Sequence, residues 1–394
     1  MNNYKRHCFI GLMLLWLFTF SSKGVLFQLS LYLLPILVIS YSPTRQALFH
    51  YIKPIIFPSS LMLLGPILIT SLIALWIRDV PIDKDVFDIF WRLILLPVSI
   101  TVTCLYYKIS AKTILFSFIA VAFIHACIGF IEAFFELPIG RGQWGNRLSG
   151  LISNPNSFGL LMISGAIAAL HQSVTATERK TKYACILACC VFVIGWEGSG
   201  SRSAGLALAA GILILIAYHY RSLIQLIKTN IFTSTIILGL CVIGIISFFY
   251  SDFFTVRILN KDISTDLRLP IWEYYFNETK HAIWLGRSVN EIKEFHYLGE
   301  GYYPHNLYLE ILLRSGLIGL TAFLLLISII LRKILSSSDE YKPFCLALFI
   351  AILINCFFNA TILGNEMSQG VITIMLVVYL MQINRGIKTV VAKY

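Results

Sequence analysis

Hydrophobic residues in this chain come in long unbroken runs, and polar residues gather in the gaps between them. Runs that can serve as membrane spans lie at 8–22, 25–40, 55–77, 86–106, 113–136, 157–171, 183–197, 203–220, 230–250, 306–331, 343–360 and 369–383. One crossing takes about 20 apolar residues, so twelve use roughly 240 of the 394. The expected fold class is an all-α polytopic membrane protein of about 12 transmembrane helices, with one long outer loop between spans nine and ten. The chain then divides into spans one to five (1–136), central spans with arginine-bearing outer loops (137–250), the long loop (251–304) and spans ten to twelve (305–394). The run behind Lys5 and Arg6 has the charged flank of a secretory signal, but it lacks a small-residue cleavage site and a second apolar run follows at once, so it reads as an anchor.

Composition narrows the class. The chain is 58% hydrophobic and 13% charged, with a mean hydropathy of +0.79, which excludes an ordinary soluble enzyme, a disordered chain and a disulfide-stapled module. The net charge of +11 would suggest nucleic acid in a soluble protein; here membrane topology accounts for it and no nucleic-acid partner is expected. With the N-terminus inside, 17 of the 31 basic residues fall in cytoplasmic segments, whereas only Glu178, Asp339 and Glu340 among the acids do. That bias places both termini in the cytoplasm. The nine cysteines all lie in apolar runs and read as buried small hydrophobes; the Cys185, Cys189, Cys190 cluster has no His or carboxylate within a turn, so no metal is expected. No nucleotide-binding glycine loop is present and no cofactor is implied.

The stretch 251–304 carries six basic and eight acidic residues and is too long for a connector. Within it Pro270 opens a predicted helix whose Trp272, Tyr275, Phe276, Thr279 and Ile283 share a face. Such a face suits a helix on the membrane surface or one packed on the loop's own small core.

Ionisable groups at membrane depth are costly and usually meet a cavity or a partner. Arg147 lies in GRGQWGNRLSGLISNPNSFG, residues 140–159, where glycines and Pro155 break into the sixth span and Asn154 and Asn156 offer amides to a ligand; a simple turn with a snorkelling arginine is the alternative. Arg202 lies in GSGSRSAG, residues 198–205, where helix-start amides and a guanidinium form an anion site, or where the arginine serves topology alone. Arg268 precedes the loop helix in TDLRLPIWEYY. His305 precedes the tenth span in YYPHNLYLEILLRSGLIGL, beside Asn306 and after Tyr302, Tyr303 and Pro304, and suits proton acceptance or hydrogen-bond donation. Asp88, Arg92 and Arg314 fall within spans and are expected to satisfy neighbours.

His305, Asn306, nine residues, Gly316, two residues and Gly319 together resemble the His-Asn/Ser/Gln-x9-Gly-x-x-Gly pattern of the O-antigen ligase family, whose superfamily includes polysaccharide polymerases. The NRLSGLISNPNSFG, GSRSAG and DLRLPIWEYY segments come in the family's order, and the long loop stands where the family places it. IWLGRSVNEI departs from the more glycine-rich turn that members often have after the loop helix. The resemblance implies inverting, metal-independent glycosyl transfer at the periplasmic face of the bacterial inner membrane. The donor is a glycan on undecaprenyl diphosphate, and the acceptor is a hydroxyl of lipid A core (ligase) or of the next lipid-linked repeat unit (polymerase), with membrane lipids around the chain. On that reading Arg202 and Arg268 hold the diphosphate and His305 serves the acceptor. Arg147, Asn154, Asn156, Asn306, Tyr303 and Trp272 contact substrate. A transporter of lipid-linked glycans would also suit the spans and arginines, but related halves are not detected; a sensor or scaffold would carry a soluble output domain, and the cytoplasmic segments are short.

Overall fold

The structure is a computed structural model that describes residues 2–19, 25–48, 53–80, 85–135, 147–152, 154–229, 268–288, 291–292, 294–297, 300–359 and 366–383. Its helices are α1 (Asn2–Thr19), α2 (Val25–Ser40), α3 (Ser42–Ala47), α4 (Lys53–Arg78), α5 (Asp85–Phe90), α6 (Leu96–Tyr106), α7 (Ala111–Phe134), α8 (Pro155–Thr175), α9 (Arg179–Ser199), α10 (Arg202–Thr229), α11 (Arg268–Thr279), α12 (Leu307–Ser336), α13 (Lys342–Phe358) and α14 (Glu366–Ile383). The strands β1 (Phe295–Tyr297) and β2 (Glu300–Tyr302) form an antiparallel hairpin.

Among the described residues six helices are long and apolar enough to cross a membrane: Asp88–Tyr106, Ala111–Phe134, Pro155–Thr175, Arg179–Ser199, Arg202–Ser222 and Leu307–Ser336. Shorter apolar helices cover His7–Trp16, Leu29–Ser40, Leu61–Ile77, Lys342–Phe358 and Gln369–Met381. The expectation of twelve spans is therefore met in part: six long apolar helices are found among the described residues, five further apolar helical stretches are recorded over 10–17 residues, and the run at 230–250 lies outside the described residues. All the long crossings are helical because hydrocarbon offers backbone N–H and C=O groups no partner but the helix itself.

The chain divides into two compact units. The first comprises Met1–Phe118, Pro270–Cys345 and Cys356–Tyr394. Here α4 packs on α12, α1 on α2, and α14 on α6. Between α5 and α6 the chain makes a π-helical turn, Trp91–Leu95. Pro97 in the first turn of α6 explains it: a proline has no N–H to return to the carbonyl four residues back, and its ring crowds that turn. The carbonyl of Arg92, five residues before Pro97, accepts from Thr373 Oγ1 at 3.4 Å. The Arg92 guanidinium meets Asp88 and Gln369 Oε1, each at 3.4 Å. Arg314, in α12, pairs with Glu310 at 2.7 Å, so both span arginines meet a carboxylate one helical turn away.

The second unit comprises Ile119–Leu269 and Leu346–Asn355. Its centre is α8, nearly all buried, with α9 along one side and α10 along another. Small residues at the contacts bring the helices close, as van der Waals packing within a bilayer requires: Gly165 lies on Ala122 and Phe192. Cys104, Cys185, Cys190, Cys345 and Cys356 are buried and Cys127 and Cys189 partly so, but Cys8 is exposed. That corrects the expectation for Cys8, since an apolar thiol turned towards lipid needs no protein cover. Cys241 lies outside the described residues.

Candidate functional site

Each unit holds part of the candidate set. In the second unit the segment 147–152 runs between the start of α8 and the turn from α9 to α10, where Leu148 N donates to Gly198 O at 2.8 Å. A side chain at 198 would collide with Leu148, which explains one glycine of GSGSRSAG. Arg147 fixes this arrangement through its fork: Nε donates to Ser199 O at 2.7 Å and Nη2 to Asn156 Oδ1 at 2.9 Å. Asn154 is the N-cap of α8, its Oδ1 accepting from Asn156 N at 2.8 Å and Ser157 N at 3.4 Å. Pro155 follows at the first helical position, where a missing N–H costs nothing. The side-chain amides of Asn154 and Asn156, expected to serve a ligand, thus engage their oxygens within the protein.

Arg202 is the first residue of α10 and partly exposed. The turn before it is tied by Ser199 Oγ, which donates to Trp196 O at 2.6 Å and accepts from Ser201 N at 3.2 Å, and by Trp196 Nε1, which donates to Ser201 O at 2.9 Å. The guanidinium therefore leaves a stiff turn at a helix N-terminus, where dipole and orphan amides favour an anion. Arg268 opens α11, two residues before the expected start at Pro270, and is partly exposed. Among the described residues no three His, Cys, Asp or Glu side chains gather as a metal set.

The first unit holds the rest. On α11 the buried stripe is Ile271, Tyr275 and Thr279, a spacing of four, whereas Phe276 is 55% exposed and leaves the expected face. The helix packs on the loop's own strand end and on the end of α13. Trp272 Nε1 donates to Pro304 O at 2.8 Å, and its ring lies against Phe357 with centroids 5.5 Å apart. Tyr275 OH donates to Tyr302 O at 2.6 Å and accepts from Phe295 N at 3.1 Å, which joins helix and hairpin. Burial pushes the Tyr275 hydroxyl up to about 12, so it stays a donor at neutral pH.

His305 follows, exposed and in the left-handed backbone region with φ +47, an uncommon conformation for a residue with a Cβ. Asn306 caps α12, its Oδ1 accepting from Leu309 N at 3.1 Å. Tyr303 is 54% exposed.

The two motif glycines lie deeper in α12. Gly316 breaks the helix with φ 61 and ψ −164, a region essentially reserved for glycine. The chain after α11 is spliced into the break: Arg287 N donates to Leu313 O at 2.7 Å, Leu317 N to Ile283 O at 2.8 Å and Ile318 N to Trp284 O at 3.3 Å. A Cβ on Gly286 (φ +74) would strike Ser315 N, and one on Gly316 would strike the Trp284 carbonyl. Thr70 Oγ1 of α4 also donates to Leu285 O. The departure IWLGRSVNEI is thus the segment that docks, and its single glycine suffices. Sequence reasoning missed this seam; it expected Arg314 to satisfy a neighbour, and the partner it left unnamed, Glu310, had a readable signal in its spacing of four.

No curated protein matches the chain. A family model described as O-antigen ligase matches residues 184–324, a stretch that takes in Arg202, Arg268, Trp272, Tyr303, His305, Asn306, Gly316 and Gly319, whereas Arg147, Asn154 and Asn156 precede it. The chain is similar to the O-antigen ligase family over residues 184–324, and six of its described helices are long and apolar enough to cross a membrane.

Proposed function

We propose that the chain transfers a glycan from undecaprenyl diphosphate to a sugar hydroxyl of lipid A core, at the periplasmic face of the bacterial inner membrane with both termini in the cytoplasm. The family implies glycan transfer of ligase or polymerase type on lipid-linked substrates. The observation that carries the finer reading is the motif His305 to Gly319, in which an exposed histidine directly precedes the cap residue of a broken membrane helix inside the family match.

In the proposed reaction the acceptor oxygen attacks the anomeric carbon opposite the leaving group, the carbon–oxygen bond to the diphosphate breaks, and the configuration inverts. His305 takes the hydroxyl proton or orients that hydroxyl. Arg202 and Arg268 stabilise the charge that gathers on undecaprenyl diphosphate, with Arg147 as a further phosphate or sugar contact, so the site works without a metal. Asn156 holds Arg147 and so acts on substrate chiefly through it. Asn154, Asn306, Tyr303 and Trp272 complete the substrate-binding set, with the two asparagines also capping helices.

The test is the lipopolysaccharide gel of a deletion strain complemented with wild type or His305→Ala. Bare core with polymerised glycan retained on undecaprenyl diphosphate is expected for the deletion and for His305→Ala. Core bearing a single repeat unit without a ladder would make the protein a polymerase. An unchanged ladder in the deletion strain would remove the assignment to this polysaccharide.

A further inference from the structure

We infer that Trp272 and Tyr275 are positioning residues for His305: the loop helix α11 imposes the left-handed turn that presents the imidazole. The inference rests on the proposed role of His305. A left-handed backbone at a residue with a Cβ is strained and persists only where its surroundings over-determine it. Three bonds do so here. Tyr275 OH holds the carbonyl of Tyr302, three residues before the turn, and Trp272 Nε1 holds that of Pro304, directly before it. Behind it Asn306 is fixed by its cap on Leu309 N. The two aromatic donors lie three residues apart on α11, and their acceptors lie two residues apart on the strand end. One rigid helix thus grips the chain at two points just ahead of the histidine. Tyr275 is itself fixed, being fully buried and accepting from Phe295 N. Trp272 therefore acts on the site through the backbone of Pro304 as well as through its ring.

The experiment uses the full chain in membranes of a deletion strain, with that strain's own lipid-linked glycan and lipid A core as probes. Tyr275→Phe and Trp272→Phe keep ring bulk and remove one donor each. Each is expected to slow transfer roughly three- to tenfold, the worth of one hydrogen bond, at unchanged protein level. Combined with His305→Ala, either is expected to cost little more, because there is no imidazole left to place; an equal cost in both backgrounds would make these residues merely structural. A second readout needs no turnover. In a His305→Cys chain, adding Tyr275→Phe is expected to change the rate of labelling by a membrane-impermeant maleimide at least threefold, while Phe276→Cys on the exposed side of α11 keeps its rate. An unchanged rate at 305 overturns the inference. Full transfer by His305→Ala alone would instead overturn the role of His305, and the labelling result would still decide whether α11 shapes the turn.

Discussion

Arg147 and His305 are held in opposite ways. Arg147 builds its own surroundings: its guanidinium spends two donors on Ser199 O and Asn156 Oδ1, so the charged group is also the clamp of the segment that carries it. His305 has its backbone shaped by others, through Trp272, Tyr275 and the Asn306 cap, while its ring is exposed. The difference follows from chemistry. A permanently charged, five-donor fork can anchor a loop and retain N–H groups for a phosphate. An imidazole that must exchange a proton needs its place set from outside, so that its bonds can change during turnover.

The comparison breaks most sharply at His305 itself. His305→Ala should lower glycan transfer by about 10²–10⁴-fold, with thermal stability in detergent unchanged. If melting falls with activity, the histidine is as structural as the arginine. Next, Arg147→Ala should lower both quantities, because Asn156 and the Ser199 carbonyl lose a partner; about 1–3 kcal/mol of stability is expected, measured by thermal or denaturant melting. Arg202→Lys should reduce transfer with little loss of stability, and equal effects at 147 and 202 would erase the distinction. Asn154→Ala should cost about 1 kcal/mol through the lost cap of α8. The smallest effect concerns pH. The Tyr275 hydroxyl is raised from 10.0 to about 12, so the stability it lends is whole below pH 10 and is lost as pH rises towards 12. Alkaline melting of wild type against Tyr275→Phe checks this, and convergence of the two curves well below pH 10 would contradict it.

How much of this was legible in the sequence depends on the range of the interaction. Apolar runs gave most helices, because hydrophobic length is a local property, and the His305–Gly319 spacing marked a candidate site. The arginine segment was half readable: its glycines and asparagines announced irregular backbone, but that Asn154 caps and Asn156 clamps depends on where Ser199 and α8 lie. Gly316 entered the sequence reading only as a position of the family motif. Its real partner is the backbone of 283–287, about thirty residues earlier, which carries no side-chain signal. Phe276 shows the limit of wheel arguments, since a two-donor helix gripping a strand selects the stripe 271, 275, 279 over the widest aromatic face.

The seam at Gly316 also bears on biogenesis. The N–H groups of Leu317 and Ile318 and the carbonyl of Leu313 sit in a helix long and apolar enough to cross a bilayer, yet their partners belong to Ile283, Trp284 and Arg287. Inserted alone, α12 would regain regular helical bonding, with Leu317 N on Leu313 O, so the break at Gly316 belongs to the docked state. The segment 283–287 is synthesised first, so it is available when α12 enters the bilayer. The broken form of this span and the docked loop are therefore one coupled feature, each supplying backbone partners to the other.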